Sequence, residues 1–154
     1  MDRIFNIKKP PGMTSHDVVY KVRKILGTKK VGHTGTLDPD AVGVLPICVG
    51  RATKVCDLIL NKDKAYECEL TLGVETDTYD SSGEVVFEKD LSDLTDEQVV
   101  DALMSQVGDI DQYPPKYSAL KVNGKKMCDL VRRGRADEIV LKPRPIKIKK
   151  IDIK

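Results

Sequence analysis

The sequence has no tryptophan and few other aromatic residues, two Phe and five Tyr in 154 positions. Aromatic poverty accompanies disorder, but apolar residues recur here in patterned segments along the whole chain, which excludes a disordered tract. Close cysteine pairs are also missing. Cys48, Cys56, Cys68 and Cys128 are too far apart for a zinc knuckle or a dithiol redox motif. They sit in apolar segments such as Leu45-Pro46-Ile47-Cys48-Val49 and are expected to be reduced, mostly packed thiols of a cytoplasmic protein. No long apolar run occurs, so neither a signal peptide nor a membrane span is expected. The length suits one domain whose core needs no disulfide or metal.

What is present is an uneven charge distribution. Residues 1–64 carry 12 Lys and Arg against 6 Asp and Glu; residues 65–113 carry 1 against 14; residues 114–154 carry 13 against 4. Two basic blocks flank an acidic one. Basic blocks that share a face suit a polyanion; solvated surface charge is the plainer alternative, and charge alone leaves both open.

Residues 4–7 read as a strand, broken by Lys8-Lys9-Pro10-Pro11-Gly12. Thr14 and Asp17 form a capping box opening a helix with an apolar stripe of Val18, Val19, Val22, Ile25 and Leu26, stopped by Gly27. Residues 29–50 read as a long ordered loop leading into a buried strand at Leu45–Val49, and long ordered loops usually serve function. A helix is predicted over Thr53–Leu60 with Val55, Leu58 and Ile59 inward. Tyr66–Leu72 alternates as a half-buried strand. A turn at Asp80–Gly83, a strand at Glu84–Glu88 and a helix capped by Thr95 follow. Pro114-Pro115 resets the chain; Tyr117–Val122 suits a strand, Asn123-Gly124 a turn and Lys125–Arg133 a short basic helix. Ile146–Ile153 reads as a strand whose lack of an evident partner invites pairing between chains. Without regular βαβ alternation, the class is α+β with a mixed, mostly antiparallel sheet and flanking helices.

The chemistry concentrates in Gly32-His33-Thr34-Gly35-Thr36-Leu37-Asp38-Pro39. The two glycines suit unusual backbone or close approach to a ligand. Pro39 restricts Asp38 to an extended conformation. A carboxylate held this way can act as base, nucleophile or metal ligand, or it can be a turn aspartate that accepts from nearby amides. The run has no Gly-Lys-Ser/Thr ending and so is not a P-loop.

These residues, continued by Ala41, Gly43, Leu45-Pro46 and Gly50-Arg51-Ala52-Thr53-Lys54, resemble the signature of the TruB-type tRNA pseudouridine synthases. Three further stretches resemble the family in the same order: Lys9-Pro10-Pro11-Gly12-Met13-Thr14-Ser15; Asp63-Lys64-Ala65-Tyr66 with Gly73 and Thr76–Asp80; and Pro114–Lys121 with Gly124-Lys125. The resemblance spans the chain and implies a pseudouridine-synthase catalytic fold, isomerisation of a tRNA T-loop uridine after base flipping, no cofactor, no metal and no obligate protein partner.

By the same resemblance Asp38 is the nucleophile, which suits a carboxylate able to form and lose an ester-like adduct. Tyr66 stacks on the target uracil, and His33 fills the space the base leaves. Gly32, Thr34, Gly35 and Leu37 line the site. Lys9 either supports the loop or touches phosphate. Lys116, Lys121, Lys125, Lys126, Arg132, Arg133 and Arg135 form a basic thumb, an insertion over about 114–142, on the RNA backbone. Lys8 and Cys128 depart from the family's usual acidic and aromatic residues.

Family members continue with a Gly-Thr-Tyr-Ile-Arg-like motif, whose arginine pairs with the catalytic aspartate, and with a C-terminal RNA-binding domain. Neither has a counterpart here. Residues 1–154 are therefore expected to be the N-terminal portion of a catalytic domain, with little or no activity alone. An RNA-binding fragment without chemistry, or a role within a guide-RNA particle, are the competing readings.

Overall fold

The computed structural model describes residues 1–115, 118, 120–122 and 124–154; the side chains of Lys121, Val122 and Lys126 lie outside the description, as do Lys116, Tyr117, Ala119 and Asn123. The expected strand at Tyr117–Val122 and turn at Asn123-Gly124 thus fall partly outside the described residues. The chain divides into two compact units, Met1–Glu67 and Cys68–Lys154. The class is α+β. Every strand pairing among the described residues is antiparallel, and the strands are shared among four small sheets rather than one.

The first unit is built on a three-stranded sheet. Strands β1 (Arg3–Lys9), β2 (Val31–His33) and β3 (Gly43–Val49) take the order β1-β3-β2. Alternate residues of β3, namely Leu45, Ile47 and Val49, are buried against Val18, Val19 and Val22 of helix α1 (Ser15–Leu26) and Val31 of β2. Phe5 and Ile7 of β1 and Leu37 of the loop pack onto the same cluster. The helix starts as expected. Thr14 accepts from the Asp17 N–H while the Asp17 carboxylate accepts from the Thr14 N–H, and Gly27 ends the helix in the left-handed conformation. Ile25, placed in the apolar stripe by periodicity, is exposed instead; only Leu26 of the last turn reaches the cluster.

The expected long loop contains two strands. β2 holds three residues of it, and β3 begins earlier than predicted, at Gly43. Pro46 explains where β2 stops. In the central strand its carbonyl faces β2 and accepts from the Thr34 N–H at 3.1 Å. A residue's N–H and C=O point to the same side of a strand, and proline has no N–H to return. The ladder therefore ends at His33, and residues 34–42 leave the sheet.

After β3, a 3-10 turn over Gly50–Val55 leads into α2 (Cys56–Leu60), so the predicted helix is shorter and Leu58 points to solvent. Gly50 is required where it stands: φ is +65°, and a Cβ would lie 2.2 Å from an Asp2 carboxylate oxygen. The Asp2 carboxylate accepts from the Arg51 backbone and pairs with its guanidinium at 2.6 Å.

Tyr66–Leu72 is not a strand. Strand structure needs a hydrogen-bonding neighbour, and no described strand pairs with it, so its alternating apolar residues Tyr66, Leu70 and Leu72 are exposed. Cys68 is exposed with them, contrary to its expected packing.

In the second unit, β4 (Val74–Thr76) and β5 (Val85–Glu88) form a hairpin around the expected Asp80 turn. The Asp80 carboxylate accepts from Ser82 and Thr78, which holds its pKa below the usual range. Helix α3 (Asp96–Met104) carries a full capping box between Thr95 and Gln98. β6 (Gly108–Gln112), missed because acidic residues alternate in it, pairs with β9 (Arg144–Ile148). The expected terminal strand is thus shorter and has a partner within the chain. β7 (Lys121–Val122) and β8 (Lys125–Lys126) form a minimal hairpin across Gly124, whose φ is +80°. Lys125 and Lys126 therefore belong to a strand, and the basic helix α4 begins later, at Met127–Arg132. Met127, Leu130 and Ile139 make a second small core.

Candidate active site

Lys9 is the last residue of β1 and shares its inner face with Phe5 and Ile7, following the two-residue period of a strand. An ammonium on a core-facing position is costly unless hydrogen-bonded. Lys9 is 0% exposed, and its Nζ donates to the carbonyls of Pro10 (3.0 Å), Met13 (2.6 Å) and Pro39 (2.8 Å). All three ammonium hydrogens are accounted for. Of the two roles open to Lys9, the structure gives loop support; a buried and fully engaged ammonium has no donor for phosphate.

Pro39 is held a second time. Gly12, at φ +73°, turns its N–H onto the same Pro39 carbonyl at 2.9 Å. A positive φ is strained for residues with a side chain, so the glycine of the Pro-Pro-Gly break is needed for this contact.

On the other side of Asp38, Leu37 is fixed by Ser15. The Leu37 N–H donates to the Ser15 Oγ at 2.9 Å, and that hydroxyl donates to the Leu37 carbonyl at 3.2 Å. Ser15 is 2% exposed at the first position of α1. The Leu37 side chain packs on the first-unit core. The Asp38 carbonyl accepts from the Ala41 N–H at 3.1 Å.

Asp38 therefore has an exposed carboxylate on a fixed backbone. Its carboxylate takes no hydrogen bond and no ion pair among the described residues. The turn-aspartate alternative requires such a carboxylate to accept from nearby amides, and that alternative does not hold here.

His33 ends β2, half-buried, and its Nδ1 is buried without a partner among the described residues. Thr34 is 4% exposed, and its Oγ1 is likewise unpartnered. Gly32 pairs with Cys48 across the sheet; a Cβ there would meet the Cys56 Sγ at an ordinary 3.5 Å. Burial and the neighbouring Cys56 thiol push Cys48 up to about 11, so it stays a protonated thiol at neutral pH.

Neither Gly32 nor Gly35 has a positive φ, so the expectation of unusual backbone is not met at either. At Gly35 a Cβ would meet nothing within 4 Å, which leaves open approach as its distinguishing property.

Tyr66 is 72% exposed on the irregular stretch after α2. In the second unit Lys125, Arg132 and Arg133 are exposed. Arg135 is not free: it pairs with Glu138, Nη2 to Oε2 at 2.8 Å and Nε to Oε1, an interaction that raises the arginine's pKa and lowers the glutamate's. Lys116 and the side chains of Lys121 and Lys126 lie outside the described residues.

Sequence reasoning missed Ser15 as a site residue. Thr14 already supplied the helix cap, so the adjacent serine had no assigned task; that surplus hydroxyl was the available signal.

A small α+β unit that presents an unpaired carboxylate, Asp38, on a braced glycine-rich loop has the form of a nucleophile-bearing enzyme site. Residues 23–154 match the family described as TruB family pseudouridylate synthase (N terminal domain), and the chain belongs to that family. It is 65% identical over 153 residues to tRNA pseudouridine synthase B of Clostridioides difficile (strain 630), a match covering 99% of this chain and 51% of that protein. The protein of the same name from Symbiobacterium thermophilum is 52% identical, covering 99% and 50%. A chain in the crystal structure of a Cbf5-Nop10-Gar1 complex is similar at 30% identity with a TM-score of 0.51, over 77% of this chain and 30% of that one. The chain spans about half the length of the curated relatives it matches. No helix among the described residues is long and apolar enough to cross a membrane.

Proposed function

We propose that the complete protein isomerises a tRNA T-loop uridine to pseudouridine, with Asp38 as the nucleophile. The observation that carries this reading is the contrast within one residue. The Asp38 backbone is tied down through both neighbours, while its carboxylate is exposed and unspent. A nucleophile needs both properties: a fixed line of approach and a charge not committed to another group. The relatives are named tRNA pseudouridine synthase B, which supports tRNA as the substrate.

The other roles follow on the same footing. The unpartnered Nδ1 lets the His33 ring move aside or into the RNA without breaking a hydrogen bond at that nitrogen. Tyr66, exposed, is available to stack on a flipped uracil, a contact worth roughly 1–3 kcal/mol. Lys125, Arg132 and Arg133 offer exposed cations to phosphate, each contact adding to the salt dependence of binding. Residues 1–154 are read as the N-terminal portion of a catalytic domain, with the thumb at about 114–142. On this reading the portion alone has little activity, because the Asp38 carboxylate has no cationic partner among the described residues.

The test is Asp38→Asn in the complete protein, assayed for pseudouridine in a T-stem-loop RNA. The expected loss is roughly 10³-fold or more, with RNA binding retained. Modification at the wild-type rate would instead favour an RNA-binding role without chemistry at Asp38.

A further inference from the structure

We propose that Ser15 is a positioning residue for the reaction, acting through the backbone of Leu37 to set the line of the Asp38 carboxylate. The proposal rests on the reading of Asp38 as the nucleophile.

Ser15 makes two hydrogen bonds with one residue. Its Oγ accepts from the Leu37 N–H at 2.9 Å and donates to the Leu37 carbonyl at 3.2 Å. One bond alone would leave the peptide plane free to tilt about it. Two bonds to the N–H and the C=O of the same residue fix both flanking peptide planes. The second of those planes is the Leu37–Asp38 peptide, so the direction in which Asp38 leaves its own Cα is set from Ser15.

The serine itself is well held. It is 2% exposed at the start of α1, whose first turn is closed by the Thr14–Asp17 capping box. The next residues of the helix face, Val18, Val19 and Val22, belong to the first-unit core. Helix α1 thus anchors the Leu37 backbone through one hydroxyl, beside the packing of the Leu37 side chain on the same core. Lys9 and Gly12 hold Pro39 on the other side, so without Ser15 the Leu37 backbone would lose both its hydrogen bonds and keep only its side-chain packing on the core.

Cap chemistry does not explain the residue. The Asp17 N–H is served by Thr14 Oγ1, and Ser15 Oγ makes neither of the capping bonds. A hydroxyl buried at this point has the Leu37 backbone as its only described partner.

The test is Ser15→Ala in the complete protein, at a temperature where circular dichroism shows it fully folded. Single-turnover rates at saturating T-stem-loop RNA are measured beside KM and the RNA dissociation constant. Misplacement of a reacting group by about 1 Å costs about 100-fold in rate, so the expected fall in kcat is roughly 10- to 100-fold. KM and RNA affinity should stay within about twofold, because uniform binding is untouched. Ser15→Thr, which restores the hydroxyl, should be faster than the alanine variant.

A kcat for Ser15→Ala within about twofold of wild type overturns the proposal. So does a loss that appears in RNA affinity instead of kcat, or a threonine variant no faster than alanine. Failure of the underlying reading looks different: Asp38→Asn would then keep its activity whatever Ser15→Ala does.

Discussion

Two stretches of the first unit lack regular structure, and they differ in every other respect. Residues 34–42 leave the sheet at Pro46 and carry the proposed nucleophile. Residues 61–67 leave α2 and carry the proposed stacking tyrosine, and the irregular run continues to residue 71. In the first stretch the Leu37 N–H and the carbonyls of Leu37, Asp38 and Pro39 are met by Ser15, Ala41, Lys9 and Gly12. In the second, all residues are exposed, and the alternating apolar side chains find no sheet partner. Absence of secondary structure is therefore a poor measure of order. A loop is rigid when buried side chains take over the hydrogen bonds that a ladder would have made.

The largest effect that separates the two stretches should come from Lys9. Lys9→Met keeps the apolar stem and removes the ammonium, which leaves the carbonyls of Pro10, Met13 and Pro39 without that donor. Hydrogen bonds to charged groups are worth more than neutral ones, and a loss of roughly 3 kcal/mol in urea denaturation is expected. A variant as stable as wild type would show that the loop stands without this support.

Thr14→Ala should cost less, about 1 kcal/mol, by removing the helix cap that seats Ser15. Its cost should depend on pH. The Thr14 hydroxyl, then its backbone N–H, holds the Asp17 carboxyl below its ordinary 3.8. A depressed folded pKa contributes stability that is present above the ordinary value and lost as pH falls through the folded one. The difference between Thr14→Ala and wild type should therefore shrink in acid, below pH 3.8, when denaturation curves at neutral and acid pH are compared. A constant difference across that range would uncouple Asp17 from the cap.

The same physics explains what was legible in the sequence. The α1 start was readable because capping is local: Thr14 and Asp17 are three residues apart and satisfy each other. The Gly32–Pro39 run was readable as a motif. Its rigidity was not, because Lys9 reaches across 30 positions and Ser15 across 22. No local pattern reports a serine's distant backbone partner. Tyr66–Leu72 failed in the opposite sense. Its alternation is real, but alternation states only that one face is apolar, and a strand also needs a neighbour. The acidic β6 was hidden because its charge is met across the sheet, where Asp109 pairs with Lys147 of β9 and lies 3.5 Å from its ammonium.

The most direct measurement of this account is amide hydrogen exchange on the 154-residue chain. The Leu37 N–H, bonded to a hydroxyl that is 2% exposed, should exchange as slowly as the amides of the β3 core around Ile47. The amides of residues 68–71 should exchange at rates close to those of an unfolded chain. Leu37 exchanging as fast as Glu69 would contradict the claim that the Asp38 loop is braced by buried side chains.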